Sequence, residues 1–200
     1  MVLIGLYYAL GLAAAGAILG YVTSYWYGAP FFLLALLCLW FFRDPERTPP
    51  SGPVAVSPAD GKVVSIAPEP DGRVRLGIFL NIFDVHVNRA PIGGRIRSIR
   101  YQPGQFLVAS RPEAARRNEQ NTFIVDGDGA SIEFSQIAGL IARRIVCYKK
   151  PGDLVALGER VGLIQFGSRV DVLLGPEWRL TVKEGQRVRA GSSIIARRAS

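Results

Sequence analysis

The hydrophobic pattern divides the chain into two parts at residue 42. Residues 1–42 are almost wholly apolar, whereas apolar and polar positions alternate in short runs through the remainder. The run from Val2 to Val22 is long enough to cross a hydrocarbon core of roughly 30 Å as a helix. A shorter apolar run follows from Ala29 to Phe42, and we expect Gly28 and Pro30 to break the chain between the two. The pattern predicts a membrane-anchoring helical hairpin, with a single span as the alternative.

Beyond this leader, short strand-like runs separated by Gly and Pro predict a mostly β domain over residues 57–200. Residues 43–56 carry four prolines and predict a linker between the two parts. The segment from Arg111 to Glu119 is polar, and we expect a loop or a single helical turn there. The runs that predict strands are, in chain order, 63–66, 74–80, 96–101, 122–125, 132–135, 145–148, 161–165, 170–174 and 194–196.

Two Gly-rich segments of the β domain resemble each other. Residues 151–164 and 184–196 each contain a Gly, a Val three residues later and a second Gly six residues later, at an offset of 33 residues. This spacing is typical of the hairpins in lipoyl- or biotinyl-type barrel sandwiches, and residues 57–68 resemble the entry strand of such a module. We therefore expect a mostly β, barrel-sandwich-like domain.

Charge follows the same division of the chain. All 24 basic and 16 acidic residues lie in residues 43–200, which carry the whole net charge of +8. Arg43 and Arg47 directly follow the leader, so the positive-inside tendency places the β domain on the cytoplasmic face of the cell membrane. A cleaved signal peptide fits poorly, because the apolar stretch is too long and has no basic start.

The excess of basic residues favours an anionic membrane surface or anionic head groups as a partner. Nucleic acid is the other common partner of a basic chain, but the sequence contains no recognisable nucleic-acid module. Cys38 lies in the apolar leader and Cys147 in a strand-like run, so no disulfide framework is predicted. One His, two Cys and scattered carboxylates do not make a convincing metal site.

The only histidine of the chain, His86, is a candidate for proton transfer. Asp84 and Asn88 flank it at i−2 and i+2, so all three would share one face of an extended strand. Because the pKa of an imidazole lies near neutrality, His86 can act as an acid or a base at cellular pH. Asp60 precedes a glycine in "PADGK", where an aspartate commonly serves only to close a turn.

Ser168 lies in "QFGSRVD" and has two possible reactions. It could be the nucleophile of a membrane-bound serine hydrolase with His86 and Asp60, although no Gly-x-Ser-x-Gly elbow surrounds it. Alternatively, its hydroxyl could attack the carbonyl of Gly167, since a residue without a side chain does not obstruct the attack. The resulting ester could break by β-elimination to a dehydroalanine and hydrolyse to a pyruvoyl group. These residues alone leave both reactions open.

A non-enzymatic, membrane-tethered carrier of the barrel-sandwich type is a third possibility. Such carriers present a modifiable lysine in an exposed hairpin, often beside Met or Asp. The only methionine is Met1, and none of the predicted hairpins shows that pattern.

Six sequence blocks together resemble the short prokaryotic class of phosphatidylserine decarboxylases. The similarity covers nearly the whole chain, and the blocks occur in the order and spacing of that family. The blocks are "FFRDPER", "SPADGKV", "FLNIFDVHVNRAP", "ARRIVCY", "GLIQFGSRVDV" and "VKEGQRVRAGSSIIA".

The resemblance implies a proenzyme that cleaves itself between Gly167 and Ser168. The products would be a β chain (1–167) and an α chain (168–200) held together without a covalent bond. Ser168 would become the pyruvoyl cofactor, which forms a Schiff base with the amine of phosphatidylserine before carbon dioxide leaves and phosphatidylethanolamine is released. Asp60 and His86 match the family's residues that assist self-cleavage. The oligomeric state is left open.

Two departures from the longer family members affect the mechanism. Longer members read Leu-Gly-Ser-Thr at the cleavage site, whereas this chain has Phe166-Gly167-Ser168-Arg169, as is usual for the short class. Longer members also carry a second histidine where this chain has Arg89. His86 would therefore have to serve both self-cleavage and protonation of the decarboxylated intermediate, or water would have to serve one of them.

Candidate substrate contacts follow from the chemistry of an anionic lipid. A basic cluster could contact the phosphate, and an apolar pocket would favour loss of carbon dioxide by destabilising the carboxylate. The basic candidates are Arg143, Arg144 and Lys149, and the apolar candidates are Phe79, Phe83 and Phe166.

Overall fold

The chain forms two compact units in a computed structural model, one ending at Glu46 and the other beginning at Arg47. The structure describes the residues in the following ranges, with residue 116 described by its backbone alone: 2–107, 113–127, 129–140, 144–165 and 168–199.

The first unit is a pair of apolar helices, α1 (Leu3–Val22) and α2 (Tyr25–Phe41), joined at Thr23 and Ser24. Helix α1 has 20 residues and a mean hydropathy of 1.8, so its length and composition suffice to cross a membrane. Helix α2, with 17 residues, is shorter than a typical span.

The predicted break at Gly28 and Pro30 is wrong, because α2 passes through both residues. Pro30 removes only one intrahelical hydrogen bond near the start of the helix. Gly28 instead allows the two helices to approach closely: a Cβ atom at this position would lie 2.4 Å from the carbonyl oxygen of Gly16. The chain reverses earlier than expected, at Thr23 and Ser24.

The second unit is built almost wholly from strands, with one short helix, α3 (Ala114–Arg117), where a loop or helical turn was expected. The strands of the described residues are β1 (Val54–Val56), β2 (Gly61–Pro68), β3 (Val74–Leu80), β4 (Val87–Arg89), β5 (Gly94–Gln102), β6 (Gln120–Gly127), β7 (Ala130–Ile137), β8 (Ile145–Cys147), β9 (Leu154–Val155), β10 (Arg160–Ile164), β11 (Ser168–Leu174), β12 (Trp178–Leu180), β13 (Arg187–Val188) and β14 (Ile194–Arg198).

These strands form one large sheet and two small ones. The central sheet has the order β13-β2-β3-β11-β7-β6-β5-β9, and the small sheets have the orders β1-β14-β12 and β4-β10-β8. The named strands all pair antiparallel. Strand β1 comes from the C-terminal end of the proline-rich segment at 43–56 and pairs with β14 near the end of the chain.

One face of the central sheet, which we call the inner face, carries the hydrophobic core. Alternate residues of neighbouring strands point to it, because successive side chains of a strand point to opposite faces. Phe123 and Phe134 stack there with ring centroids 4.8 Å apart. The buried residues of β3 and β11 on this face are Leu76, Ile78, Leu80, Val170, Val172 and Leu174.

The two Gly-rich repeats fold alike and contact each other. Each consists of a turn, a short strand, a second turn and a longer strand, which are β9 and β10 in the first repeat and β13 and β14 in the second. The second turns meet at Gly158 and Gly191, where a Cβ on Gly158 would lie 3.3 Å from the Cα of Gly191. Both glycines have φ above +70°, a conformation that side-chain-bearing residues rarely adopt. The structure therefore confirms a mostly β, barrel-sandwich-like fold that follows an apolar helical hairpin in the sequence.

Candidate active site

Two segments of the chain connect the same strand pairs near Ser168. Strand β11 begins at Ser168, which pairs with Leu80 at the end of β3. Strand β10 ends at Ile164, whose N–H donates a hydrogen bond to the His86 carbonyl at 3.2 Å. Strand β3 is paired with β11, and β4 is paired with β10. Residues 81–85 and residues 165–167 therefore each connect one of these strand pairs to the other. Of the second connection, Phe166 and Gly167 lie outside the described residues.

Ser168 occupies a position that is unusual for a serine. It is fully buried, and its Oγ has no hydrogen-bond partner among the residues that the structure describes. Leaving a buried hydroxyl unsatisfied costs free energy, so such groups are uncommon in folded proteins and often have a chemical role. Ser168 lies on the inner face, as its partner Leu80 does.

His86 is fully buried just before β4. Its Nδ1 lies 2.9 Å from the main-chain carbonyl oxygen of Asp84. Because a carbonyl can only accept, Nδ1 carries the hydrogen, and Nε2 of the neutral ring is the nitrogen that can take a proton. Arg89 lies on the opposite face of β4 and donates to the Gly158 carbonyl at 3.1 Å. Since strand faces alternate, the residue at position 89 does not share the face of His86.

The segment before His86 is a tight turn rather than the extended strand that the sequence suggested. The N–H of Asp84 bonds to the Asn81 carbonyl at 3.0 Å, and the Asn81 side chain accepts from the N–H of Phe83 at 2.7 Å. The carboxylate of Asp84 accepts from the N–H of Asn81 and from Arg187, each at 2.9 Å. Asp84 therefore stabilises the turn with its side chain and orients the imidazole with its carbonyl. The turn exposes Ile82 and Phe83.

Asp60 lies in the turn between β1 and β2 and is nearly buried. Its Oδ2 accepts from Arg47 at 2.9 Å, and its Oδ1 accepts from the N–H of Ala190 at 2.7 Å. The segment that holds Asp60 also approaches β4, because the N–H of Arg89 bonds to the Pro58 carbonyl at 2.9 Å. Asp60 and His86 thus lie on neighbouring segments of the same region.

A row of polar side chains replaces the apolar core at this end of the inner face. Gln136 of β7 is the partner of Val170 on one side and of Asn121 on the other. Gln136 Nε2 donates to Oδ1 of Asn88 at 2.8 Å, and Asn121 Nδ2 lies 3.4 Å from Gln136 Oε1. Asn88 follows His86 by two residues, so the imidazole and this amide share one face of the strand.

A buried ion pair lies on the other face of β11. Arg169 Nε donates to Asp171, and its Nη2 donates to the Ser65 hydroxyl at 2.8 Å. A Cβ on Gly77 would lie 2.2 Å from the same guanidinium, so the glycine makes room for it. Burial raises the pKa of Asp171 above its ordinary value, and the positive charges of Arg169 and Arg75 oppose that rise.

The candidate substrate contacts occupy different surroundings. Arg144 is exposed, and its carbonyl accepts from the N–H of Gln165 at 3.2 Å, beside the connection that leads to Ser168. Lys149 forms an ion pair with Glu159. Hydrogen bonds from Lys149 and from the N–H of Ala156 hold the pKa of Glu159 below its ordinary value.

Among the apolar candidates, Phe83 is 64% exposed at the tip of its turn. Phe79 is half-buried and pairs with Arg169, so it lies on the face of the central sheet opposite to Ser168. Arg143 lies outside the described residues, as Phe166 does. The role of each of these residues in substrate binding stays a prediction.

Sequence reasoning did not find Gln136, Asn121 or the ion pair of Arg169. For Gln136 and Asn121 a signal was present, because each is a polar residue at a strand position that the alternation assigns to the buried face. Arg169 and Asp171 occupy positions that the alternation assigns to the polar face, so the alternation carried no signal of their burial.

The chain matches known proteins along most of its length. The family model for phosphatidylserine decarboxylase matches residues 34–196. The phosphatidylserine decarboxylase proenzyme of Solibacter usitatus is 64% identical over 194 residues, which cover 97% of this chain and 95% of the relative. Proteins of the same name from Oleidesulfovibrio alaskensis and Nitratidesulfovibrio vulgaris are 47% and 45% identical, over 94% and 95% of this chain and 89% and 91% of the relatives. The chain therefore belongs to the phosphatidylserine decarboxylase family.

Proposed function

We propose that this chain is a proenzyme that cleaves itself between Gly167 and Ser168 and then decarboxylates phosphatidylserine to phosphatidylethanolamine. The relatives are named phosphatidylserine decarboxylase proenzymes, which supports both the reaction and a cleaved precursor. The observation that carries the proposal is the buried, unpartnered Oγ of Ser168 at the start of β11, next to the segment that holds His86.

Self-cleavage requires a base for the Ser168 hydroxyl. In our proposal, Nε2 of His86 takes that proton, because Nδ1 is engaged with the Asp84 carbonyl. The hydroxyl oxygen then attacks the Gly167 carbonyl carbon, and the peptide nitrogen leaves as the amine of Ser168, which gives an ester. Removal of the Cα proton of Ser168 breaks the ester and leaves a carboxylate on Gly167 and a dehydroalanine at 168. Water converts the dehydroalanine to a pyruvoyl group and releases ammonia.

The surroundings of Ser168 fit a small, fixed electrophile. The buried Oγ atom has no hydrogen-bond partner among the described residues, and β11 is held on both sides by β3 and β7. A pyruvoyl carbonyl at this position supplies the electron-withdrawing centre that condenses with the substrate amine and allows carbon dioxide to leave. The chain's own residues then orient the lipid, and the single buried histidine is available to return a proton to the substrate carbon.

The surface beside this site suits a lipid substrate in a membrane. The Asn81–Asp84 turn presents Ile82 and Phe83 to solvent, and Arg144 is exposed beside Gln165. We propose that the apolar pair contacts acyl chains and that Arg144 contacts an anionic head group. Helix α1 supports membrane association, and we propose that residues from Arg43 onward face the cytoplasm.

Intact mass measurement of the purified protein tests the proposal. We expect two fragments, 1–167 and 168–200, with a blocked N-terminus on the smaller one that reacts with hydrazines and borohydride. Ser168→Ala should give a full-length, inactive chain, and His86→Ala should slow cleavage because the hydroxyl loses its base. A wild-type chain that stays whole and does not react with these reagents would refute the proposal. Labelling of the whole chain by a fluorophosphonate would favour a serine hydrolase.

A further inference from the structure

Asn88 has a buried amide donor that none of the described residues uses. The residue is fully buried on β4, and its Oδ1 accepts from Gln136 Nε2 at 2.8 Å. Its Nδ2 has no hydrogen-bond partner among the residues that the structure describes. Burying a donor without a partner costs free energy, because the group gives up its hydrogen bond to water. Such a donor persists at a functional site when a reacting group becomes its partner.

The amide chain fixes which atom of Asn88 is available. Asn121 Nδ2 approaches Gln136 Oε1 at 3.4 Å, which turns Gln136 Nε2 towards Asn88. Asn88 therefore presents Oδ1 to Gln136 and directs Nδ2 elsewhere. Gly162 is the partner of Asn88 on β10, and a Cβ there would lie 2.8 Å from Gln136 Nε2. The missing side chain leaves space for the paired amides.

The available donor lies on the side of β4 that faces the inner face of the central sheet. Asn88 and His86 share one face of their strand, and that face meets the inner face of the central sheet because Gln136 belongs to it. Ser168 lies on the same inner face, two residues along β11 from Val170, the cross-strand partner of Gln136. Two residues of a strand span roughly 6.6 Å. Asn88 therefore faces the end of the sheet at which β11 begins with Ser168.

We propose that Nδ2 of Asn88 is an oxyanion donor for self-cleavage, an inference that rests on the proposed function. When Ser168 Oγ adds to the Gly167 carbonyl carbon, the electron pair of the C=O bond moves onto the carbonyl oxygen, and Asn88 Nδ2 donates to that oxygen. The C=O bond re-forms as the bond to the Ser168 nitrogen breaks, and that nitrogen takes the proton released by the hydroxyl. Asn88 is then a catalytic residue of cleavage, and Gln136 is the residue that positions it.

The rate of cleavage after cell-free synthesis of the full chain in lipid nanodiscs tests this role. Asn88→Asp keeps an oxygen for Gln136 but replaces the donor, and Asn88→Ala removes both. Loss of one oxyanion donor typically slows acyl transfer about 100- to 1,000-fold, and we expect a loss of that size in both variants. Asn118→Asp is the matched control: the same change, at an equally buried site outside the amide chain, should slow cleavage far less.

Hydroxylamine identifies the step at which Asn88 acts. It cleaves an ester but not a peptide bond, so it should release no fragments from the Asn88 variants if they stop before the ester forms. Rapid release of fragments by hydroxylamine would place Asn88 after that step and overturn the proposal. Cleavage of both variants at the wild-type rate would also overturn it. If the unaltered chain is never cleaved, the proposed function itself fails.

The role of Gln136 is tested by a double-mutant cycle. Gln136→Met should slow cleavage when Asn88 is present and add little when Asn88 is already alanine, because Gln136 acts through that amide. Additive losses would show that Gln136 does not act through Asn88. Thermal unfolding of each Asn88 and Gln136 variant in the Ser168→Ala background identifies those that merely fail to fold. Gln136→Met, which retains Asn88, keeps the proposal testable if the Asn88 variants do not fold.

Discussion

Replacing Arg169 by methionine should destabilise the second unit strongly, although the change keeps an apolar stem of similar length. Asp171 is 2% exposed, and its closest basic neighbour after Arg169 is Arg75, whose Nη1 lies 3.8 Å from Oδ2. The variant would leave Asp171 as a buried charge with one distant partner, and the Ser65 hydroxyl would lose its donor.

The expected magnitude follows from this burial. Removing one partner of a buried ion pair costs about 3–5 kcal/mol. For a chain of this size each kcal/mol lowers the Tm by roughly 2–4 °C, so we expect a fall of about 6–20 °C. Arg73→Met is the matched control, because its side chain is 40% exposed and its ion pair with Asp71 lies at the surface. An exposed pair contributes about 1 kcal/mol or less.

Thermal unfolding in detergent, followed by circular dichroism, measures the effect. The Ser168→Ala background keeps every sample a single chain. Adding Asp171→Leu to Arg169→Met should restore much of the lost stability, because no unpaired charge remains. A Tm for Arg169→Met equal to that of the Arg73→Met control would refute the reasoning.

The pH dependence of the same variant provides a second check. Burial raises the pKa of Asp171 in the folded state, and losing Arg169 removes a charge that opposes the rise. A carboxyl group whose pKa is raised in the folded state stabilises the fold fully at pH values below its pKa in the unfolded chain, about 3.9. That stabilisation is lost as pH rises through the pKa of the folded state. The stability difference between wild type and Arg169→Met should therefore shrink as pH falls towards 4.

Two further predictions concern the surface. Phe83→Ser should lower kcat/KM on phosphatidylserine in bilayers but leave activity on a short-chain, monomeric analogue unchanged. Leu154→Ser changes an equally exposed leucine on the far edge strand β9 and should leave the activity on both substrates unchanged. If Phe83→Ser lowered both activities equally, a membrane contact at Phe83 would be contradicted. In wild type the ionised Glu159 stabilises the fold, and this contribution is lost as pH falls from about 4.3, the pKa in the unfolded chain, through the lowered pKa of the folded state. The Glu159→Gln variant should lack this contribution. Since this carboxylate is partly exposed, the difference should be about 0.5 kcal/mol or less in chemical unfolding.

Much of the strand pattern could be predicted from the sequence because it depends on local alternation. Val170 and Val172 alternate with the charged Arg169 and Asp171 along β11, and a sheet with one apolar face produces that pattern. The four glycines whose spacing defines the two repeats were equally informative, since all four adopt positive φ in the structure. The spacing of Gly152 and Gly158 is repeated by Gly185 and Gly191.

Contacts between distant segments could not be predicted in the same way. Gly28 resembled a helix breaker in the sequence. In the structure it lies in α2 and packs against Gly16 of α1, a contact that the sequence pattern around Gly28 does not indicate. Asn88 was noticed as a neighbour of His86, but its partner Gln136 lies 48 residues away. Short strands such as β1 and β13 depend on cross-strand pairing rather than on a periodic run of their own, and two or three residues do not establish a period.

The pairing of the last strands has a consequence for the timing of maturation. Of the strands after the proposed cut, β11 pairs with β3 and β7, β13 with β2, and β14 with β1. Unfolding the matured protein would therefore separate two chains, and their reassembly would depend on protein concentration, whereas the uncut precursor refolds as one molecule. The proposed cleavage also requires Ser168 and His86 to be brought together by these same pairings. In the proposed reaction, completion of the fold is therefore the event that commits the chain to an irreversible change.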